Sequence, residues 1–257
     1  MELRALGSTG IRVSPLGLGT VKFGRNQQVK YPSSFEIPDD QSVRHILAVA
    51  RDLGINLLDT APAYGTAQQR LGRLLPGPRE DWVIVSKVGE IFEHGASRFD
   101  FSHAHALASV EQSLRELNTD YLDCVLIHSD GDDLRILEQE GVLDALRELK
   151  ERGLIRAHGM SSKTVAGGLR VVRDMDVVMA TANLEYDEER PVLEAARRMK
   201  KGVLVKKGLM SGHLGGAEGV RASMAHVFSL PGVSSMIVGT INEGHLRQNV
   251  ALADELA

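Results

Sequence analysis

Residues 121–128 read YLDCVLIH, an apolar run too short to span a membrane and closed by a histidine. ALASVEQSLRELN (106–118) before it and GVLDALRELKERG (141–153) after it return apolar residues every three or four positions. That is the period of a helix packed along one face. A buried strand between amphipathic helices is the unit of a parallel sheet, because parallel neighbours are joined only through a crossover. Outward from this unit the pattern recurs: LGLG (16–19), INLLD (55–59), WVIVSK (82–87), LIRAHGM (154–160), VVMAT (177–181), GVLVK (202–206) and MIVGT (236–240). SVRHILAVARDLG (42–54) and RPVLEAARRMKKG (190–202) are among the helical segments between them. Eight strand–helix units predict an α/β fold, a closed (β/α)8 TIM barrel. LRAL (3–6) and IRVS (11–14) around Gly7-Ser8-Thr9-Gly10 predict an N-terminal β-hairpin capping the barrel's bottom.

The main alternative, an open doubly wound sheet, calls for a glycine-rich turn running straight into a helix. Gly17-Leu18-Gly19-Thr20 is followed instead by a polar loop of 14 residues, Arg25 to Pro38, expected to sit over the barrel mouth. The 257 residues show no repeat or linker, so residues 1–257 read as one domain. With 43% hydrophobic and 25% charged residues the chain has globular composition. Its net charge of −4 offers no footprint for nucleic acid or for an anionic membrane. The N-terminus lacks the apolar run of a signal peptide, and the uncharged stretch from Ala222 to Asn242 is broken by Ser229-Leu230-Pro231-Gly232 into a helix end, a turn and a strand. The single cysteine, Cys124, allows no intrachain disulfide and fits a reducing cytoplasm.

In such a barrel the reactive groups project from the C-terminal ends of the strands. Asp59 ends the second strand, Lys87 the third and His128 the fourth, with Tyr64 on the loop after Asp59. Singly, each has an ordinary role: a turn acid, a wet loop phenol, a snorkelling lysine, a satisfied histidine. Three successive strands delivering Asp, Lys and His to one rim beside a Tyr make a chemical set. An ammonium lowers the pKa of a neighbouring phenol, a carboxylate keeps the ammonium charged and oriented, and an imidazole donates a hydrogen bond to a carbonyl oxygen. The set delivers a proton to an oxygen becoming an alkoxide. No metal-ligand spacing and no Ser or Cys nucleophile accompanies it, which suits a hydride cofactor.

On these residues the chain resembles the aldo-keto reductase superfamily, as a short member of the bacterial, NADP-dependent type. The likeness runs from LGSTGIRVSPLGLGT (6–20) through GINLLDTAPAYG (54–65), SVEQSLRELNTDYLDCVLIH (109–128) and GVLVKKGLMSGHL (202–214) to IVGTINEGHLRQNV (237–250). The resemblance implies a catalytic tetrad at Asp59, Tyr64, Lys87 and His128. It also implies cofactor contacts from Gly19, Thr20, Asp59, Ser161, Ser162, Lys206, Leu209, Gly239, Thr240, His245, Gln248 and Asn249, and NADP(H) rather than NAD(H). A phosphate is expected at the helix start after Thr240. Three departures stand out. Ser161-Ser162 replaces a common Ser-Asn, leaving Asn183 to offer an amide. Lys206-Lys207 stands where many members place a Tyr that stacks on the nicotinamide. Gly239 and His245 take the place of basic residues that commonly meet the 2′-phosphate. After Asn249 only VALADELA follows, so an open, weakly aromatic pocket is expected.

The reading is therefore an enzyme reducing an aldehyde or ketone to an alcohol, a monomer or weak homo-oligomer in the cytoplasm, whose only partner is a small carbonyl substrate. A nucleotide-sensing binding module on the same fold is the alternative. A lyase or isomerase using Lys87 as a Schiff-base amine is a third.

Overall fold

A computed structural model describes residues 1–214 and 216–257. Among them eight parallel strands close a barrel in the order β3 (Leu16–Gly19), β4 (Leu57–Asp59), β5 (Val83–Val88), β8 (Leu122–His128), β9 (Ile155–Ser161), β10 (Val177–Thr181), β11 (Gly202–Lys206) and β12 (Ser235–Val238). Closure is made by β12 against β3, with Met236 opposite Leu16 and Val238 opposite Leu18. Every expected strand is present; the last ends at Val238, and Gly239 and Thr240 already belong to the rim loop. The helices are α1 (Asp40–Asp52), α2 (Ala67–Leu74), α3 (His103–Leu117), α4 (Asp133–Gln139), α5 (Val142–Glu151), α6 (Val165–Asp174), α7 (Arg190–Arg198), α8 (Gly216–Ser229) and α9 (Glu243–Leu256). None described is long and apolar enough to cross a membrane.

The two-residue period of the strands sorts their side chains into two cores. Leu57, Val83, Val85, Cys124, Leu126, Ala157, Met179 and Leu204 form the inner cluster. Their neighbours Leu58, Ile84, Val125, Ile127 and Val178 pack outward with the helices. The expected hairpin, β1 (Arg4–Ala5) with β2 (Arg12–Val13), adds Leu6, Ile11 and Val13 to the inner cluster and so plugs the barrel's bottom. Its turn needs Gly7: φ is +59°, and a Cβ there would meet the Gly202 backbone nitrogen at 2.3 Å.

A second hairpin, β6 (Glu90–Glu93) with β7 (Ala96–Phe99), lies at the other end and was not expected. It turns through His94 and Gly95, both at positive φ. EIFEHGASRF carries the signal in hindsight, a glycine-containing two-residue turn between short alternating runs. Because β6 starts three residues after Lys87, the hairpin carries Glu90 to the mouth.

Candidate active site

Asp59, Lys87 and His128 sit where the strand ends put them, and Tyr64 follows on a short 3-10 turn, Pro62–Tyr64. The Lys87 ammonium donates to Asp59 Oδ1 at 2.5 Å and to the Thr60 carbonyl at 3.1 Å. It also lies 4.8 Å from the centre of the Tyr64 ring. Lys87 is 2% exposed and Asp59 5%, so each is a buried charge whose desolvation is offset by the other. Burial pulls the ammonium's pKa down, but Asp59 and Tyr64 outweigh it and hold Lys87 above its ordinary value. The Tyr64 phenol differs from expectation. Burial pushes it up, with Asp59 adding to the rise, and the Lys87 ammonium, which acts downward as expected, does not overcome them. Tyr64 is therefore a protonated phenol at neutral pH. Its ring stands edge-on to His128, centroids 6.3 Å apart.

Nδ1 of His128 lies 2.9 Å from Glu90 Oε2, close but off the line of a straight hydrogen bond. Burial lowers the ring's pKa and Glu90 opposes that. Burial also pushes the Glu90 carboxyl up, yet His128, Ser97 and Arg25 hold it well below the usual carboxylate range. Arg25 is itself buried. Its guanidinium donates to Glu90 Oε1 at 3.0 Å and to the Ala63 carbonyl at 3.1 Å, and it covers the Phe92 ring at 3.6 Å. Glu90 and Arg25 are site residues that sequence reasoning missed: a lone Glu after a strand and a lone Arg in a polar loop carry no signal until the hairpin brings them together.

The 25–38 loop is anchored by Arg25 at one end and lines the cleft with Gln28 through Ser33. Tyr31, Tyr64 and Tyr186 all face that cleft, so the pocket is more aromatic than expected. The Tyr31 hydroxyl stands over Gly239, where a Cβ would approach it to 2.9 Å. Burial, then Tyr64 and Asp59, pushes its phenol up to about 12.

Of the residues expected to hold a cofactor, Gly19, Thr20, Asp59, Ser161, Lys206, Leu209, Gly239, Thr240, His245, Gln248 and Asn249 line one cleft. Ser162 does not: it is wholly buried, with its hydroxyl 3.5 Å from Glu189 and its carbonyl accepting from Lys206 at 2.6 Å. The Thr20 hydroxyl donates to the Asp59 carbonyl at 3.0 Å and braces the second strand end. Lys206 also donates to the Ser161 hydroxyl at 2.8 Å, so its ammonium is spent on β9. The Asn183 amide is likewise engaged, donating to the Lys207 carbonyl and accepting from the Glu185 N–H. The cap of α9 is Asn242, which accepts from the His245 N–H, while Thr240 closes the turn before it by accepting from Asn242. Asp133, at the start of α4, is buried and accepts from Lys163, Thr164 and Ser129.

A dinucleotide fits what is present. The cleft is about 1790 Å3, beyond the roughly 300–1,000 Å3 of a single small-ligand site. Gly19 and Gly239 contribute only backbone to its wall beside the closing strands, with the Tyr31 hydroxyl over Gly239. The Lys207 ammonium is pushed down by burial and by repulsion from Lys30 and Lys163, an under-compensated positive corner suited to a phosphate.

A closed parallel barrel with an acid, an ammonium and an imidazole on adjacent strand ends and a phenol on the turn after the first of them defines an oxidoreductase class. The chain belongs to the aldo/keto reductase family, whose profile matches residues 15–224. It is 28% identical to the L-galactose dehydrogenase of Arabidopsis thaliana over 100% of this chain and 89% of that one. An aldo-keto reductase of Bacillus subtilis is 30% identical, over 84% of this chain and 64% of its own. A Pseudomonas aeruginosa crystal structure, provisionally named an aldo-keto reductase, superposes with a TM-score of 0.91 at 56% identity, covering 99% of this chain and 95% of that one.

Proposed function

We propose that the protein interconverts an aldehyde or ketone and its alcohol with a nicotinamide cofactor, acting in the cytoplasm as one barrel domain. The observation that carries this reading is the buried Lys87–Asp59 pair set 4.8 Å from the Tyr64 ring centre. When bound, the cofactor supplies the hydride. The chain's own residues do the rest. Tyr64, protonated at neutral pH, gives its proton to the substrate oxygen as that oxygen becomes an alkoxide, and the Lys87 ammonium stabilises the phenolate left behind. Asp59 keeps Lys87 charged and pointed, so the pair is set before substrate arrives. His128 meets the same oxygen from the neighbouring strand end. Gly19, Gly239, Leu209, Thr240, His245, Gln248 and Asn249 bound the dinucleotide, and Lys207 with Lys30 and Lys163 takes its phosphates. That surplus of cations supports NADP(H) over NAD(H) although Gly239 and His245 lack the usual basic side chains.

The test is Tyr64→Phe, assayed with NADPH and NADH over a carbonyl panel that includes hydroxylated aldehydes, since one relative is a galactose dehydrogenase by name. The variant should lose about 100- to 10,000-fold in kcat with cofactor affinity unchanged. Unaltered turnover would sink the role of Tyr64. Tight cofactor binding by the parent protein without turnover on any carbonyl would instead make it a nucleotide-sensing module.

A further inference from the structure

Glu90 lies outside the four rim residues, yet its carboxylate is committed on every side. Oε1 accepts from Arg25 at 3.0 Å and from Ser97 at 2.6 Å, and Oε2 lies 2.9 Å from His128 Nδ1. A bare ring nitrogen and a carboxylate oxygen at that distance would set two lone pairs against each other, so Nδ1 carries a proton. A neutral imidazole has only one N–H, and its Nε2 is then a lone pair. Nδ1 is sealed from solvent while His128 lines the cleft, so the edge presented to substrate is the one bearing Nε2.

We propose that Glu90 is a positioning residue that locks His128 in the Nδ1–H form, so that Nε2 donates a hydrogen bond to a carbonyl oxygen only when the ring is an imidazolium. A neutral ring turns a lone pair toward that oxygen and repels it. The consequence rests on the carbonyl reading above: carbonyl reduction needs a protonated His128 as well as a protonated Tyr64. No proton leaves the ring in this step. Tyr64 supplies the proton that ends on the product alcohol, and His128 only orients the oxygen. The charged groups facing the ring come from four elements: Glu90 on β6 with Arg25 behind it, Lys87 on β5, Lys206 on β11, and the Tyr64 phenol on its turn. Burial and the two ammoniums disfavour the imidazolium, and Glu90 opposes them without overcoming them, so the ring stays below its ordinary pKa. Arg25 ties this device to the loop over the mouth, so loop and histidine are held by one carboxylate.

Two measurements test this. In protein labelled with ring-15N histidine, the His128 signals, identified by their loss in His128→Asn, should show a protonated Nδ1 and a bare Nε2 at alkaline pH. A neutral ring protonated at Nε2 would overturn the proposal even if turnover is normal, and would leave the activity assignment intact. Conversely, the Nδ1–H form in a protein that turns over no carbonyl supports the lock and overturns the activity instead. Second, kcat/KM for reduction should fall about tenfold per pH unit above the ring's pKa. In Glu90→Gln the side-chain NH2 donates to Nδ1, frees an Nε2–H in the neutral ring, and should flatten that limb. The limb should persist in Lys206→Met, which removes the other titrating group nearby. An unchanged limb in Glu90→Gln would overturn the role of Glu90, and the spectra of the parent protein decide the question if that variant does not fold.

Discussion

Lys87 and Lys206 both end barrel strands and both turn their ammoniums into the rim, but their surroundings drive them in opposite directions. Lys87 touches a carboxylate at 2.5 Å and is held above its ordinary pKa despite almost complete burial. Lys206 has no ion pair among the described residues; a hydroxyl and a carbonyl hold it, and burial pulls it down to about 8. Glu189 helps Lys206 only from a distance, and its own carboxyl is pushed up by burial. Depth therefore does not set the charge of a buried lysine. A contacting counter-charge does, because Coulomb attraction at contact is the one term large enough to offset desolvation. The Lys87 side of the mouth is built for fixed charge, and the Lys206 side for a cation that can be neutralised.

The comparison breaks most visibly at Lys87. Lys87→Met should cost about 3–5 kcal/mol of stability by stranding the Asp59 carboxylate, and about 100- to 10,000-fold in kcat. Adding Asp59→Leu should return most of the stability in urea melts and none of the turnover. A double variant as unstable as the single one would mean that the pair is not what holds that rim. Arg25 is the next test, as a buried cation paired like Lys87. Arg25→Ala should cost about 1.5–3 kcal/mol by removing charge-assisted bonds to Glu90 and the Ala63 carbonyl. It should also raise proteolytic cleavage within 25–38; a loop as resistant as before would show that Arg25 is not its anchor.

The smallest effect concerns pH. The unfolded chain binds the Lys206 proton up to about 10.5 and the folded one only to about 8. Stability of the parent should therefore rise with pH across that window, by at most about 1.4 kcal/mol per unit, relative to Lys206→Met. Lys87, whose folded pKa is the higher one, keeps its contribution through the same window and loses it only above. Parallel profiles for parent and Lys206→Met would remove the contrast between the two lysines.

The sequence was most legible where geometry is local. The eight strands were readable because burial on both faces writes a continuous apolar run, and Asp59, Lys87 and His128 because each is the polar residue that ends one. Helices could be read from period, and even the hairpin cap from its paired glycines. Glu90, Arg25 and Tyr31 were not legible, since nothing near them in the chain announces a partner. Arg25 meets Glu90 across 65 residues, and Ser162 lies one residue past the cleft with its hydroxyl turned inward. A helix start was expected directly after Thr240, but α9 begins at Glu243 with Asn242 as its cap.

By itself the sequence determined which barrel strands and amphipathic helices form, the strands' order around the barrel, and which four side chains reach the rim, because periods of two and 3.6 residues act along the chain. Tertiary structure alone decided the state of those side chains: that Tyr64 stays a phenol, that Lys206 weakens while Lys87 strengthens, and that His128 faces a carboxylate. Protonation follows from burial and from charges a few ångströms away, and those neighbours are brought together only when distant strands close into one ring.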